Sequence, residues 1–182
     1  AGDGVDSVAL LANIATTMSI ANAETITATG TGNDTVNLTS SLLSGSSIDL
    51  DGNTDVVNLL GGTNTASISN VETINGTSGV DTLTLENTQS SGTTVNLLGD
   101  GDVLNLAAGT NILNILNVEA VNGTTSADIL TVQNVLAANQ VLDGGGDTDT
   151  LNLGSTSNNT VTVANFETVN GNAGIDTISA QG

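Results

Sequence analysis

The chain has 182 residues, enough for one domain or one run of stacked repeats, and carries 19 acidic side chains with no lysine, arginine or histidine. A net charge of −19 without one basic side chain leaves the carboxylates to water or to a shared cation, and makes nucleic acid and anionic membrane poor partners. Cysteine is absent, which excludes a disulfide framework and thiolate chemistry.

Proline is also absent, and Phe166 is the one aromatic residue. Acidity with so few aromatics is a signature of disorder, but the Val, Ile and Leu here are plentiful and regularly placed. Together with abundant Thr and Asn, they predict many short strands. There is no signal peptide and no apolar run long enough to cross a bilayer, so membrane insertion is not expected. The chain does not begin with methionine, as expected of a processed product or a piece of something longer.

In chain order, an Asp recurs with apolar residues two and four positions later. It leads D-S-V-A-L at Asp6, D-T-V-N-L at Asp34, D-V-V-N-L at Asp55 and D-T-L-T-L at Asp81. It continues as D-V-L-N-L at Asp102, D-I-L-T-V at Asp128, D-T-L-N-L at Asp149 and D-T-I-S-A at Asp176. Such alternation marks a half-buried strand, with Leu83 and Leu85 facing in and Thr82 and Thr84 facing out. Further short strands are predicted at 47–50, 67–74, 94–98, 114–121, 140–143 and 162–169.

Between the strands runs a longer repeat. Val71–Leu85 (V-E-T-I-N-G-T-S-G-V-D-T-L-T-L) returns at Val118–Val132 and Phe166–Ala180, and a degenerate copy starts at Ala23. Its glutamates Glu24, Glu72, Glu119 and Glu167 lie 48, 47 and 48 residues apart. The Asp steps are 28, 21, 26, 21, 26, 21 and 27, which divides each repeat into two unequal turns. A period of this length predicts a solenoid whose turns bury their apolar faces only by stacking. The expected fold is all-β: a parallel β-solenoid (β-helix or β-roll) of about eight turns over residues 1–182, built from four double-turn repeats. Eight Asp-led strands at ~4.8 Å spacing give a rod on the order of 40 Å long. Ile26, Ile74, Val121 and Val169 should form one inward column, and Ile20, Ile68, Ile115 and Val163 another. Asn22, Asn70, Asn117 and Asn165 should stack as an asparagine ladder.

Corners rich in Gly and carboxylate precede each Asp. One class comprises 29–34, 76–81, 123–128 and 171–176; the other comprises 1–6, 51–55, 99–102 and 143–149. Calcium takes six to eight oxygens, and glycine lets a tight turn aim its carbonyls at one point. The candidate metal ligands are Asp6, Asp34, Asp55, Asp81, Asp102, Asp128, Asp149 and Asp176, with Asp51, Asp100 and Asp147 beside them. The alternative is that these residues only form turns. Glu24, Glu72, Glu119 and Glu167 have the parity of inward residues, and no basic residue can pair with them. They share a calcium with a neighbouring Asp, or they are solvated corner residues.

At these corners the chain resembles the nonapeptide G-G-x-G-x-D-x-(apolar)-x of RTX, or hemolysin-type, calcium-binding proteins. Gly171–Ser179 (G-N-A-G-I-D-T-I-S) fits with Asn172 for the second glycine, Gly76–Thr84 has Thr77 there, and Ala1–Ala9 has Ala1 for the first. The longer V-E-T-I-N-G-T-S-G-V-D-T-L pattern is similar to repeats in bacterial S-layer proteins and large adhesins. The resemblance covers nearly the whole chain and implies a secreted, calcium-bound β-solenoid at a bacterial cell surface, with Asp34, Asp81, Asp128 and Asp176 as the repeat's ligands. The nonapeptides are not tandem, and Gly123–Thr131 lacks the second and third glycines.

Catalysis is poorly supplied, because only carboxylates and hydroxyls remain as acid, base or nucleophile. A β-helical glycosidase needs only two carboxylates, but the irregular insertion and aromatic platform of a sugar site are lacking. The most irregular segments, Ala9–Thr17 and Glu86–Gly92, are short. N-x-S/T triplets at Asn33, Asn37, Asn75, Asn122 and Asn158 are expected by chance in so Asn- and Thr-rich a chain. The outward Thr columns and T-G-T-G-N-D at 29–34 are similar to ice-binding RTX domains, but that motif occurs once. The expected role is structural and extracellular: a surface layer or filament of copies stacked head to tail, or alternatively a spacer of a large adhesin. From Asp176 through Gly182 to Asp6 of a next copy is 12 residues against the usual 21, about one short strand too few.

Overall fold

The computed structural model describes residues 4–11, 13–99 and 101–181. Among them, alternation of β-branched and small polar residues produces nineteen strands of three to five residues. Ten of them pair side by side as a parallel sheet A: β1 (Ser7–Leu10), β3 (Thr25–Ala28), β5 (Ser46–Asp49), β7 (Thr65–Ser69), β9 (Thr82–Leu85), β11 (Val103–Asn105), β13 (Ala120–Thr124), β15 (Val141–Gly145), β17 (Thr160–Ala164) and β19 (Thr177–Gln181). The other nine form a parallel sheet B: β2 (Thr17–Ile20), β4 (Thr35–Leu38), β6 (Val56–Asn58), β8 (Thr73–Asn75), β10 (Thr93–Asn96), β12 (Ile112–Leu116), β14 (Ile129–Val132), β16 (Thr150–Leu153) and β18 (Thr168–Asn170). The chain visits the sheets alternately, so one strand of each makes a coil. The result is a two-sided parallel β-solenoid of about nine coils, close to the eight expected.

Period-2 alternation sends every second side chain into the space between the sheets. Ile26, Ile48, Leu83, Leu104 and Leu142 of sheet A meet Val36, Val57, Ile74, Val95, Leu130 and Leu151 of sheet B in one continuous core. A single coil contributes one or two such side chains per strand. Full burial of each contributes about 1.5–3 kcal/mol, so the coil is stable only between neighbours.

The 48-residue repeat is five strands long, two and a half coils rather than two turns. Glu24 precedes β3, Glu72 β8, Glu119 β13 and Glu167 β18, so successive repeats land on opposite sheets. The 21-residue Asp step is one full coil: Asp34 and Asp55 both lead strands of sheet B. The steps of 26 to 28 are a coil and a half. The two inward columns expected from the repeat are therefore divided. Ile26 and Val121 lie in sheet A, Ile74 and Val169 in sheet B; Ile20 and Ile115 lie in sheet B, Ile68 and Val163 in sheet A.

The same alternation dissolves the expected ladder of Asn22, Asn70, Asn117 and Asn165. All four adopt left-handed backbone, with φ between 50° and 54°, a conformation Asn tolerates better than most residues. They turn the corner two residues before each repeated Glu. The amide ladder forms on the outer face of sheet B instead: Asn75 Nδ2 donates to Asn58 Oδ1 at 2.8 Å, and Asn58 Nδ2 to Asn37 Oδ1 at 2.7 Å.

Candidate functional site: two carboxylate ladders

The residue immediately before each strand sits where the chain turns into the sheet. Stacking makes two columns of these residues, one per sheet. Each column follows a shared pattern, in which a side-chain oxygen accepts a backbone N–H one coil earlier: that of the equivalent residue at the Asp and Glu levels, and that of Leu42 or Gln89, a few residues before the strand, at the Asn64 and Asn111 levels.

In sheet A, Asn64 Oδ1 accepts the Leu42 N–H at 2.9 Å, and Asp81 Oδ1 accepts the Asn64 N–H at 2.9 Å. Asp102 Oδ1 then accepts the Asp81 N–H at 2.7 Å, and Glu119 Oε2 the Asp102 N–H at 2.9 Å. Sheet B repeats the quartet. Asn111 Oδ1 takes the Gln89 N–H at 3.1 Å, Asp128 Oδ1 the Asn111 N–H at 2.8 Å, Asp149 Oδ1 the Asp128 N–H at 2.7 Å, and Glu167 Oε2 the Asp149 N–H at 2.7 Å. An earlier quartet of sheet B has Thr16 in the Asn position, with Asp34, Asp55 and Glu72 at 2.8, 2.6 and 2.8 Å from the N–H groups they accept. Parts of two more lie in sheet A: Asp6 with Glu24 (2.7 Å), and Asn159 with Asp176 (3.0 Å). After each Glu comes a level without a ladder carboxylate, held by Ser46, Thr93 or Gln140.

The fold thus gathers twelve of the expected ligands into two columns: Asp6, Asp34, Asp55, Asp81, Asp102, Asp128, Asp149 and Asp176 with Glu24, Glu72, Glu119 and Glu167. Asp51 and Asp147 stay outside, exposed at left-handed corners, and Asp51 Oδ2 accepts the Gly30 N–H at 3.0 Å. Asp100 lies outside the described residues. Glu24, Glu72 and Glu119 are half-buried and Glu167 is exposed, and their longer side chains reach back to the same kind of N–H that an Asp serves elsewhere.

Asn64, Asn111 and Asn159 are ladder members that the sequence reading passed over. Each lies eight residues before its Glu, with Thr16 in the corresponding place in the first copy. Their spacing is as regular as that of the glutamates.

One oxygen of each central Asp is committed, and the other is stranded. The Oδ2 atoms of Asp55, Asp81, Asp102, Asp128 and Asp149 are buried with no hydrogen-bond partner. Burial pushes Asp55 and Asp102 up to about 6, against the pull of the N–H groups of Asp34 and Asp81; the neighbouring carboxylates add to the rise. Burial also raises Asp81 and Asp149. Asp176, at the open end of its column, is lowered instead by the amide and N–H of Asn159. The glycines beside these carboxylates make room for them: a Cβ on Gly99 would stand 2.6 Å from the Gly79 carbonyl oxygen and 2.7 Å from Asp102 Oδ2.

Calcium needs six to eight oxygens around one point. Among the described residues no three acidic groups converge in that way, and each closed corner offers one stranded carboxylate oxygen with almost no accessible surface. As folded, these corners fit a backbone N–H and not a calcium ion. What the ladders do is hold coil to coil: a hydrogen bond to an ionised acceptor contributes about 1.5–3 kcal/mol, and the column makes one at most levels.

Comparison of the chain with protein-family models, with curated proteins and with solved structures finds no match.

Proposed function

We propose that this protein is an extracellular structural element, a stiff β-solenoid rod that builds a filament or a surface layer by stacking end to end. The observation that carries this reading is the pair of corner ladders: the acidic residues that could have formed a reactive or ligand-binding site are spent on tying each coil to the next. The outward strand positions are mostly Thr, Ser and Asn, with Val103, Ile112, Ile129 and Val141 among them. Among the described residues β1, β2, β18 and β19 each pair with one neighbouring strand only, and an edge strand is a template for further parallel pairing.

Sedimentation velocity and electron microscopy over rising protein concentration test it. Rods of constant width and growing length are expected; a single species of monomer mass up to millimolar concentration would overturn the reading. A second reading, a spacer segment in a large secreted adhesin, is favoured by the outward strand positions, which are mostly Thr, Ser and Asn. In that case the rod would remain monomeric and behave as a rigid separator of about nine coils.

A further inference from the structure

Where a ladder glutamate leads a strand of sheet A, the corner beside it opens into a recess. At Glu119 the recess has a volume of about 480 Å³ and spans three coils, with Gly101 before, Asn117 beside, and Val135, Ala138 and Gln140 after. It recurs at Glu24 with a volume of about 470 Å³, where Asn22, Leu43 and Ser46 line it. Five strand spacings of sheet A, ~24 Å, separate the two.

Glu119 has one oxygen spent and one to spare. Its Oε2 accepts the N–H groups of Asp102 at 2.9 Å and Gly101 at 3.2 Å, whereas Oε1 meets only Gln140 Nε2, at 3.4 Å. Of the four amide side chains around the recess, three have their nitrogens engaged. Asn117 Nδ2 donates to Asn96 Oδ1 at 2.8 Å, Asn134 Nδ2 to the Val135 carbonyl at 3.1 Å, and Gln140 Nε2 to the Val118 carbonyl at 3.2 Å. Asn117 Oδ1 accepts no hydrogen bond from the described residues. Acceptors thus outnumber donors here, and beside them stands an apolar wall of Val135, which is 47% exposed, and Ala138.

We propose that this recess binds a primary alkylammonium group, with the ammonium on Glu119 Oε1 and the methylene stem along Val135 and Ala138. An ammonium brings three donors and no acceptor, which is what a site rich in acceptors lacks, and its stem packs on apolar surface. A carboxylate and a net charge of −19 turn anions away and concentrate cations. A neutral polyol would need the N–H donors that the three amides have already committed. The chain has no lysine or arginine, so no side chain of a second copy can supply the group. The binding is therefore separate from end-to-end stacking, and the ammonium comes from a lysine of another protein or from a free amine.

Titration of the protein with 1-aminobutane hydrochloride at neutral pH and constant ionic strength, followed by the backbone amide NMR signals of Gly101, Ala137 and Gln140, tests this. Saturable shifts at these residues are expected. Ammonium chloride has the charge without the stem and 1-butanol the stem without the charge, and each should bind about tenfold more weakly or worse. E119Q keeps a side-chain oxygen for the Asp102 N–H, so the coil stays closed, yet affinity should fall about tenfold or more. A138K, at an exposed position on the rim, sets a tethered ammonium in the recess and should block the amine to a similar degree, which keeps the test open if E119Q fails to fold.

Two results would overturn the proposal. One is an equal response to ammonium chloride. The other is a set of shifts with the same midpoint at the exposed carboxylates Asp49, Asp51, Glu86 and Asp147, indifferent to E119Q and A138K, which would mean cations gathered by net charge alone. Two further ligands distinguish the sources of the group. Tighter binding of Nα-acetyl-lysine methylamide than of 1,5-diaminopentane assigns the recess to a protein lysine, and the reverse order assigns it to a free diamine. Neither result depends on whether the rods stack, so failure here leaves the end-to-end reading standing.

Discussion

Asp81 Oδ1 accepts two hydrogen bonds from Asn64, one from its backbone N–H and one from its side-chain Nδ2, each at 2.9 Å, across 17 residues of sequence. Asn111 and Asp128 repeat the arrangement at 2.8 and 2.9 Å, and Asn159 and Asp176 at 3.0 and 2.9 Å. The Asn spends its own Oδ1 on the coil before, so one amide and one carboxylate join three coils.

The acceptor oxygen of the ladder therefore matters more than the charge. Asp102→Ala leaves the buried Asp81 N–H unsatisfied and should cost about 1–3 kcal/mol, whereas Asp102→Asn keeps an acceptor oxygen and removes a buried charge, so it should be neutral or stabilising at neutral pH. Urea unfolding of the two variants beside the parent checks this. Equal destabilisation by both would show that the charge itself is what the ladder uses.

Stability should rise on mild acidification. Asp55 and Asp102 titrate near 6 in the folded chain against 3.8 unfolded, and Asp81 and Asp149 are shifted the same way. Between about pH 4 and 6 the folded state then holds more protons than the unfolded state, so stability falls as pH rises through that window and levels off above it. Asp176 runs the other way, and its contribution is lost only as pH falls below the usual carboxylate range. The melting temperature should be higher at pH 4.5 than at pH 7.5. Reduced self-repulsion acts in the same direction, so the discriminating measurement is the D55N/D102N variant, whose pH profile should be visibly flatter. An unchanged profile would rule out these two groups as its source.

Removal of divalent cations should leave the fold intact. The corners are closed by N–H groups, so the β-signal in circular dichroism should be the same in excess chelator and in millimolar calcium. Reversible loss of that signal on chelation would mean that the corners open to admit an ion and that folding is coupled to it.

Close approach at Gly99 should make it intolerant of a side chain. Gly99→Ala drives a Cβ against the Gly79 carbonyl and Asp102 Oδ2, and overpacking of this kind costs about 1–3 kcal/mol. A Cβ on Gly52 meets nothing within 4 Å, so Gly52→Ala should change stability by less than about 0.5 kcal/mol. Thermal melts of the pair check this, and similar losses at both positions would argue against a specific clash at Gly99.

Much of this molecule was legible in its sequence. Alternation after each Asp gives the strands and their inward faces, because a residue's side of a strand depends only on its parity. The even recurrence of Asp and Glu places them at equivalent corners, and a solenoid follows since no coil can bury its own face. The sequence could not say on which sheet a repeat lands. A 48-residue period is compatible with two coils or with two and a half, and only the closed backbone, pairing residues 17 to 22 positions apart, selects the latter. That choice splits the expected columns of Ile26 with Ile74 and of Asn22 with Asn70, and places Asn64 against Asp81. It also determines the chemistry of the corners. Composition leaves a carboxylate without basic partners to seek water or a cation, whereas the tertiary structure brings the N–H of the preceding coil within 2.6 to 3.0 Å of one oxygen and encloses the other in five of the central Asp residues.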